Sequence, residues 1–160
     1  MLRISDDAFP FVIAVVGGDI VEADIREMAA RYGALHERGE RFYLAQEVRQ
    51  VNLPTAPMRR QLADLNTEFR ARIEKNVIAI GVIVPSRVVS AALTAVYWVS
   101  KEAAPTQFFP TAAQLVAHAR MVCAAEKVSL PPHADTVART LDGAWQTRSD
   151  LLALDLRQPR

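Results

Sequence analysis

The chain has 160 residues, of which 51% are hydrophobic and 23% charged, and its formal net charge is +1. This length predicts one globular domain with a tail, because two domains of ordinary size would need a longer chain. The near-neutral charge gives no support to nucleic-acid binding, and the composition is not that of a disordered protein. The single cysteine, Cys123, excludes an internal disulfide and so gives no reason to expect an oxidising compartment.

The N-terminal sequence MLRISDDAF lacks the basic and apolar regions of a secretory signal. The longest apolar run, VVSAALTAVYWV at 88–99, is about twelve residues long, whereas about 18 are needed to cross a bilayer. We therefore expect a cytoplasmic protein without an integral membrane segment.

The first third of the chain predicts two strands, a helix and a third strand. The strands cover Leu2–Ile4 and Phe9–Val16, with turn residues at 5–7, so the fold opens with a hairpin. Apolar residues spaced three and four apart predict a helix over 20–38, ended by Gly39. The sequence RFYLAQEV at 41–48 predicts the third strand.

The rest of the chain continues the alternation of strands and helices. A helix is predicted over 57–75 with Thr55 as its N-cap, and the apolar run 77–85 predicts a buried central strand. Ser86 begins a further helix to about 103, and PTQFF at 105–109 is a short strand. Thr111 begins the next helix, which runs to about 126.

The order β-β-α-β-α-β-α-β-α indicates the α/β class. Its crossovers predict a mostly parallel sheet, to which the opening hairpin adds an antiparallel strand.

No segment carries a recognisable catalytic, cofactor or metal motif. FVIAVVGGDI has only Gly17-Gly18 where a dinucleotide fingerprint needs three spaced glycines, and acidic residues open the helix that follows. GVIVPSR lacks the lysine and second glycine of a P-loop, no Gly-x-Ser-x-Gly elbow occurs, and the three histidines are far apart. We expect no cofactor, no metal and no catalytic residue, with an enzyme of unrecognised type as a minor alternative.

The order of the elements, their lengths, the glycine after the second strand and the FFP turn before the last helix carry a family resemblance. Over residues 1–127 the chain resembles the SpoIIAA-like (STAS) domains of anti-sigma-factor antagonists. The resemblance implies a STAS-like α/β domain and leaves residues 128–160 as a C-terminal helical extension. It also implies a regulatory module that acts through protein contacts.

In that family a serine at the start of the helix after the third strand is phosphorylated by a partner kinase, onto which the same helix docks. The matching segment here, VNLPTAPMRR, lacks the family's Asp-x-Ser-Gly pattern, and its only hydroxyl belongs to Thr55. Thr55 is therefore either a helix cap or a regulatory phosphorylation site. Arg59 and Arg60 follow it, as part of either a solvated helix face or a partner interface.

The helix predicted over 86–103 is apolar almost all round, although a surface helix should carry a polar stripe. Its excess apolar residues could meet a second copy of the chain, the C-terminal extension or a lipid-like ligand. The interface candidates in this segment are Val88, Val89, Val96, Tyr97 and Trp98.

Within the extension, Val137, Leu141, Ala144 and Trp145 recur at helical spacing after Pro131-Pro132. The extension could fold back on its own chain or swap onto a neighbour. We expect a non-enzymatic regulatory or interaction module that works through homodimer or partner contacts. The alternative is a carrier or sensor of a small apolar or lipid-like ligand.

Overall fold

The computed structural model describes residues 2–52, 54–84 and 103–136. These residues form five strands and three helices: β1 (Leu2–Ala8), β2 (Phe11–Gly18), α1 (Glu22–Glu37), β3 (Phe42–Val51), α2 (Ala56–Asn76), β4 (Val77–Ile83), β5 (Thr106–Phe109) and α3 (Ala112–Ala125). The apolar helix predicted over 86–103 lies almost wholly outside the described residues, and so does the extension from residue 137 onward.

The five strands form one sheet in the order β1-β2-β3-β4-β5. β1 pairs with β2 antiparallel, and every later pair is parallel. Parallel neighbours need a crossover between them, which α1 supplies between β2 and β3 and α2 between β3 and β4. This confirms the predicted α/β class, with its mostly parallel sheet and antiparallel opening hairpin.

Successive residues of a strand point to opposite faces of the sheet, and both faces here are buried. Phe42 and Leu44 of β3 pack in a core cluster with Leu35 of α1 and Ile73 of α2. Tyr43 and Ala45 face the other way, into a larger cluster that also contains the buried residues of α3. The helices α1 and α2 therefore cover one face of the sheet, and α3 covers part of the opposite face.

The opening hairpin turns at a different place from the one predicted. β1 continues to Ala8, and the turn lies at Phe9-Pro10, whose peptide bond is cis. The predicted turn residues instead form an irregularity in the pairing of β1 with β2. There the Ser5 hydroxyl donates to Asp7 Oδ2 at 2.8 Å, and the carboxylate of Asp6 pairs with Arg38, the C-cap of α1. The prediction was wrong because these polar groups bond locally and to a helix without reversing the chain.

Helix α1 ends as the sequence predicts. Gly39 adopts a positive φ of 69°, and its N–H donates to the carbonyl oxygen of His36 at 3.1 Å. A glycine is favoured here because a side chain would strain this left-handed conformation.

The first residues after α3 turn back toward the sheet. Val128 N–H donates to the carbonyl oxygen of Cys123 at 2.8 Å, and Val128 and Leu130 pack against the core on the α3 face. Ala134 is fully buried in that core. The described start of the predicted extension is therefore packed on the domain.

Candidate functional site

The parallel strands β2 and β3 end at the same edge of the sheet, where α/β proteins commonly bind ligands or partners. Asn52, just after β3, joins the two loops at this edge. Its backbone N–H donates to the carbonyl oxygen of Gly18 at 2.9 Å, and its side-chain amide donates to Asp19 Oδ1 at 2.7 Å. These bonds hold the loops before α1 and α2 beside each other.

Thr55 occupies the N-cap of α2, as the sequence predicts, with extended backbone angles of φ −61° and ψ 162°. Its carbonyl oxygen accepts the first helical hydrogen bond, from Arg59 N–H at 2.9 Å. The side chain is exposed, and its hydroxyl makes no capping hydrogen bond. The hydroxyl is therefore not engaged in the usual task of an N-cap side chain.

Arg59 and Arg60 lie just beyond Thr55 and are both exposed. Arg59 Nη1 donates to the carbonyl oxygen of Pro54 at 2.7 Å, which holds its guanidinium over the loop that precedes the helix. The first turn of α2 contains no acidic residue. Because a helix N-terminus carries partial positive charge, the surface around Thr55 is electropositive.

The start of α1 has the opposite character. Glu22 and Asp24 lie in its first turn, and Asp24 Oδ2 accepts a hydrogen bond from Val21 N–H at 3.0 Å. The carboxylates thus occupy the anion-favouring end of this helix. An acidic and a basic helix start lie side by side at the carboxyl edge of the sheet.

Comparison with known proteins identifies the fold. No protein-family model matches the sequence, and no curated protein matches it. A solved structure from Shewanella loihica PV-4, an uncharacterised DUF3478-family protein with a SpoIIAA-like fold, is similar with a TM-score of 0.58 and 11% sequence identity. The match covers 74% of this chain and 92% of that one. The chain has a SpoIIAA-like, STAS-like fold.

A second solved structure, an anti-sigma factor antagonist from Mycobacterium paratuberculosis, has 13% identity and a TM-score of 0.46. That match covers 75% of this chain and 93% of the other.

Neither α1, α2 nor α3 is long and apolar enough to cross a membrane.

The structure describes only part of the predicted site. It places Thr55, Arg59 and Arg60 together at the start of α2 of the STAS-like fold. The apolar interface candidates all lie outside the described residues: Val88, Val89, Val96, Tyr97 and Trp98.

A buried ion pair on β3 was missed in the sequence. Glu47 is fully buried, and its Oε2 accepts a hydrogen bond from Arg49 Nε at 2.9 Å and forms an ion pair with Arg49 Nη2 at 2.8 Å. Arg49 N–H also donates to Glu47 Oε1 at 2.7 Å. The spacing of two residues puts both side chains on one face of a strand, and a central strand is buried on both faces. The pair could have been identified from the sequence by two features: opposite charges two residues apart, and their position on a strand that is buried on both faces.

A second polar pair ties α3 to the sheet. Tyr43 Oη lies 3.0 Å from His118 Nδ1, and the Tyr43 ring is fully buried. Burial raises the pKa of the Tyr43 phenol, which therefore stays protonated, and lowers the pKa of His118. At neutral pH both groups are therefore uncharged, and they share one hydrogen bond between Tyr43 Oη and His118 Nδ1.

The only cysteine lies nearby but is not an activated nucleophile. Cys123 is fully buried, and burial raises the pKa of its thiol to about 11. The thiol therefore stays protonated at neutral pH, whereas the thiolate is the reactive form.

Within the described ranges, no cluster of three or more histidine, cysteine or acidic side chains could hold a metal ion.

Proposed function

We propose that the protein is a non-enzymatic regulatory module that binds a protein partner through the start of α2. The observation that carries this proposal is the exposed hydroxyl of Thr55, which makes no capping bond and lies beside Arg59 and Arg60. The STAS-like fold supports it, since the resemblance gives this helix a docking role and this position a phosphorylated hydroxyl.

Phosphorylation of Thr55 would act through charge. A phosphate adds about −1.5 to −2 charges and three acceptor oxygens at the positive end of α2. It would compete with the Pro54 carbonyl for the Arg59 guanidinium, which now donates to that carbonyl at 2.7 Å. An acidic partner that binds the unmodified, electropositive surface would then be repelled.

The proposal also includes a cytoplasmic location. Its second structural part is homodimerisation through the apolar segment 86–103. The dimer is argued from the sequence pattern, because eight apolar residues of this segment cannot all face one sheet: Val88, Val89, Ala92, Leu93, Val96, Tyr97, Trp98 and Val99. A matching patch on a second copy would bury them in a symmetric interface.

Site-specific photo-crosslinking in the native host tests the partner surface. A photo-reactive amino acid replaces Arg60, and in a matched control it replaces Gln114, which is exposed on α3 across the sheet. We expect a discrete crosslinked protein from position 60 only, and its loss when Thr55→Glu is added. Equal crosslinking from both positions, or none from position 60, would contradict the proposal.

Phosphopeptide mass spectrometry of protein from the same host tests the switch. We expect phosphate on Thr55 and none on Thr111, whose Oγ1 accepts a hydrogen bond from Gln114 N–H at 3.3 Å. If Thr55 is unmodified under every growth condition, the phosphorylation switch is contradicted. The partner surface is then judged by the crosslinking result alone.

A further inference from the structure

β1 is an edge strand of the sheet. It pairs with β2 on one side, and no described strand pairs with it on the other side. In an antiparallel pair, alternate residues of each strand direct their N–H and C=O groups away from the partner strand. On an edge strand these outward groups form a template on which a strand of another chain can pair. The outer edge of β1, the side away from β2, is therefore a candidate for unwanted pairing between chains.

A side chain from α1 reaches this strand. Arg31 Nη2 donates to the carbonyl oxygen of Ile4 at 3.0 Å. The same nitrogen lies 3.7 Å from Asp6 Oδ1, and the Asp6 carboxylate also pairs with Arg38. The Ile4 carbonyl thus accepts a charge-assisted hydrogen bond, which is stronger than a bond between neutral groups.

The last residues of β1 differ from a regular edge in two ways. The pairing of β1 with β2 is irregular between Ser5 and Ala8, and such an irregularity disrupts the even spacing of the outward groups. His133, in the chain after α3, has its Nε2 3.2 Å from the carbonyl oxygen of Asp7. The regular part of the outer edge is therefore confined to the start of β1, where Arg31 contacts Ile4.

The strand that best fits this part of the edge is β1 of a second copy. Two identical edges related by a two-fold axis run antiparallel, so each can donate to and accept from the other. Pairing of this kind needs the Ile4 carbonyl as an acceptor, and Arg31 occupies that carbonyl.

We propose that Arg31 caps the outer edge of β1 and so prevents β1 of one chain from pairing with β1 of another. The contacts from Arg31 to Ile4 and from His133 to Asp7 close this edge from two separate parts of the chain. The proposal concerns a different surface from the start of α2, so it can fail while the proposed partner surface stands.

Size-exclusion chromatography with light scattering tests the cap. Arg31→Ala removes the hydrogen bond to Ile4, whereas the matched control Arg26→Ala removes an exposed pair with Glu22 on the same helix. We expect Arg31→Ala to raise the fraction of species larger than those of the unmodified chain by at least about tenfold, because strand pairing no longer competes with a hydrogen bond to a charged group. Arg26→Ala should match the unmodified chain. Equal elution of all three proteins would overturn the proposal.

Loss of stability also causes association, through unfolded chains, so a second control is needed. Thr111→Ala removes the N-cap hydrogen bond of α3 and leaves Arg31 in place. We expect no added association in this variant. In the associated Arg31→Ala protein, hydrogen–deuterium exchange of the β1 amides should be slower than in its unassociated form, because they acquire a strand partner. Faster exchange of these amides on association, or equal association of Thr111→Ala, would overturn the proposal.

Discussion

At the scale of single residues, two threonines begin helices in different ways. The Thr111 hydroxyl accepts from Gln114 N–H, while the Thr55 hydroxyl makes no capping bond. Loss of an N-cap hydrogen bond typically costs about 1 kcal/mol. We predict that Thr111→Ala lowers the free energy of unfolding by about 1 kcal/mol and that Thr55→Ala lowers it by less than about 0.5 kcal/mol. Urea unfolding measures both, and equal losses would contradict a cap-free role for Thr55.

Two histidines, the buried His36 and the half-buried His118, make stability depend on pH. Burial lowers the pKa of His36 below its ordinary 6.5, helped by the nearby Arg72, and burial alone lowers the pKa of His118. His36 lies between the rings of Phe42 and Phe69, 5.5 and 5.8 Å away. These surroundings disfavour the charged imidazolium.

The sign of the effect follows from proton binding. Below pH 6.5 the unfolded chain binds protons that the folded chain rejects, so the free energy of unfolding falls as the pH drops through 6.5. We predict a slope of at most about 1.4 kcal/mol per pH unit for each histidine. Urea unfolding at pH 7.5, 6.5 and 5.5 measures it. His36→Leu and His118→Gln should each reduce the slope, and an unchanged slope in the double variant would contradict this assignment.

At the scale of elements, Gly81 lets α3 approach β4 closely. A Cβ atom at this position would overlap the Tyr43 hydroxyl and lie 2.9 Å from Leu115 Cγ of α3. We predict that Gly81→Ala lowers the free energy of unfolding by about 1–3 kcal/mol, because overpacking displaces the tyrosine and the helix. The matched control is Gly33→Ala in α1, where the nearest atom is 3.9 Å away. There we expect no loss and a gain of up to about 1 kcal/mol.

Strand β3 contains the buried ion pair of Glu47 and Arg49, and loss of one partner should cost more stability than loss of both. Arg49→Met would leave the fully buried Glu47 carboxylate without this cation, and such changes typically cost about 3–5 kcal/mol. Glu47→Gln should cost less, since the Arg49 side chain keeps 20% of its surface exposed. We predict that the double variant Glu47→Leu/Arg49→Met recovers part of the loss in urea unfolding. A double variant less stable than either single variant would contradict this reading.

At the scale of the whole molecule, local patterns predict the order of the described elements because each strand and helix carries its own periodicity. The N-cap at Thr55 and the end of α1 at Gly39 were predictable for the same reason. The hairpin turn was not predictable, because Ser5 and Asp7 bond to each other and Asp6 pairs with Arg38 without reversing the chain.

Local sequence patterns could not predict that Tyr43 and His118 form a pair. Tyr43 and His118 are 75 residues apart in sequence, and only the packing of α3 on β3 and β4 brings them together. The basic surface beside Thr55 could be predicted only in part. Its residues were named from the sequence, but the bond from the neighbouring Asn52 to Asp19, in the loop before α1, required the fold.

Native mass spectrometry of the full chain purified from its own host tests most directly whether the protein works through protein contacts. Oligomer mass and any retained small molecule are read in the same spectrum. We predict a dimer or a complex with a protein partner, without a bound apolar molecule. A monomer that retains a lipid-like mass would contradict an interaction module and establish the carrier as the leading function.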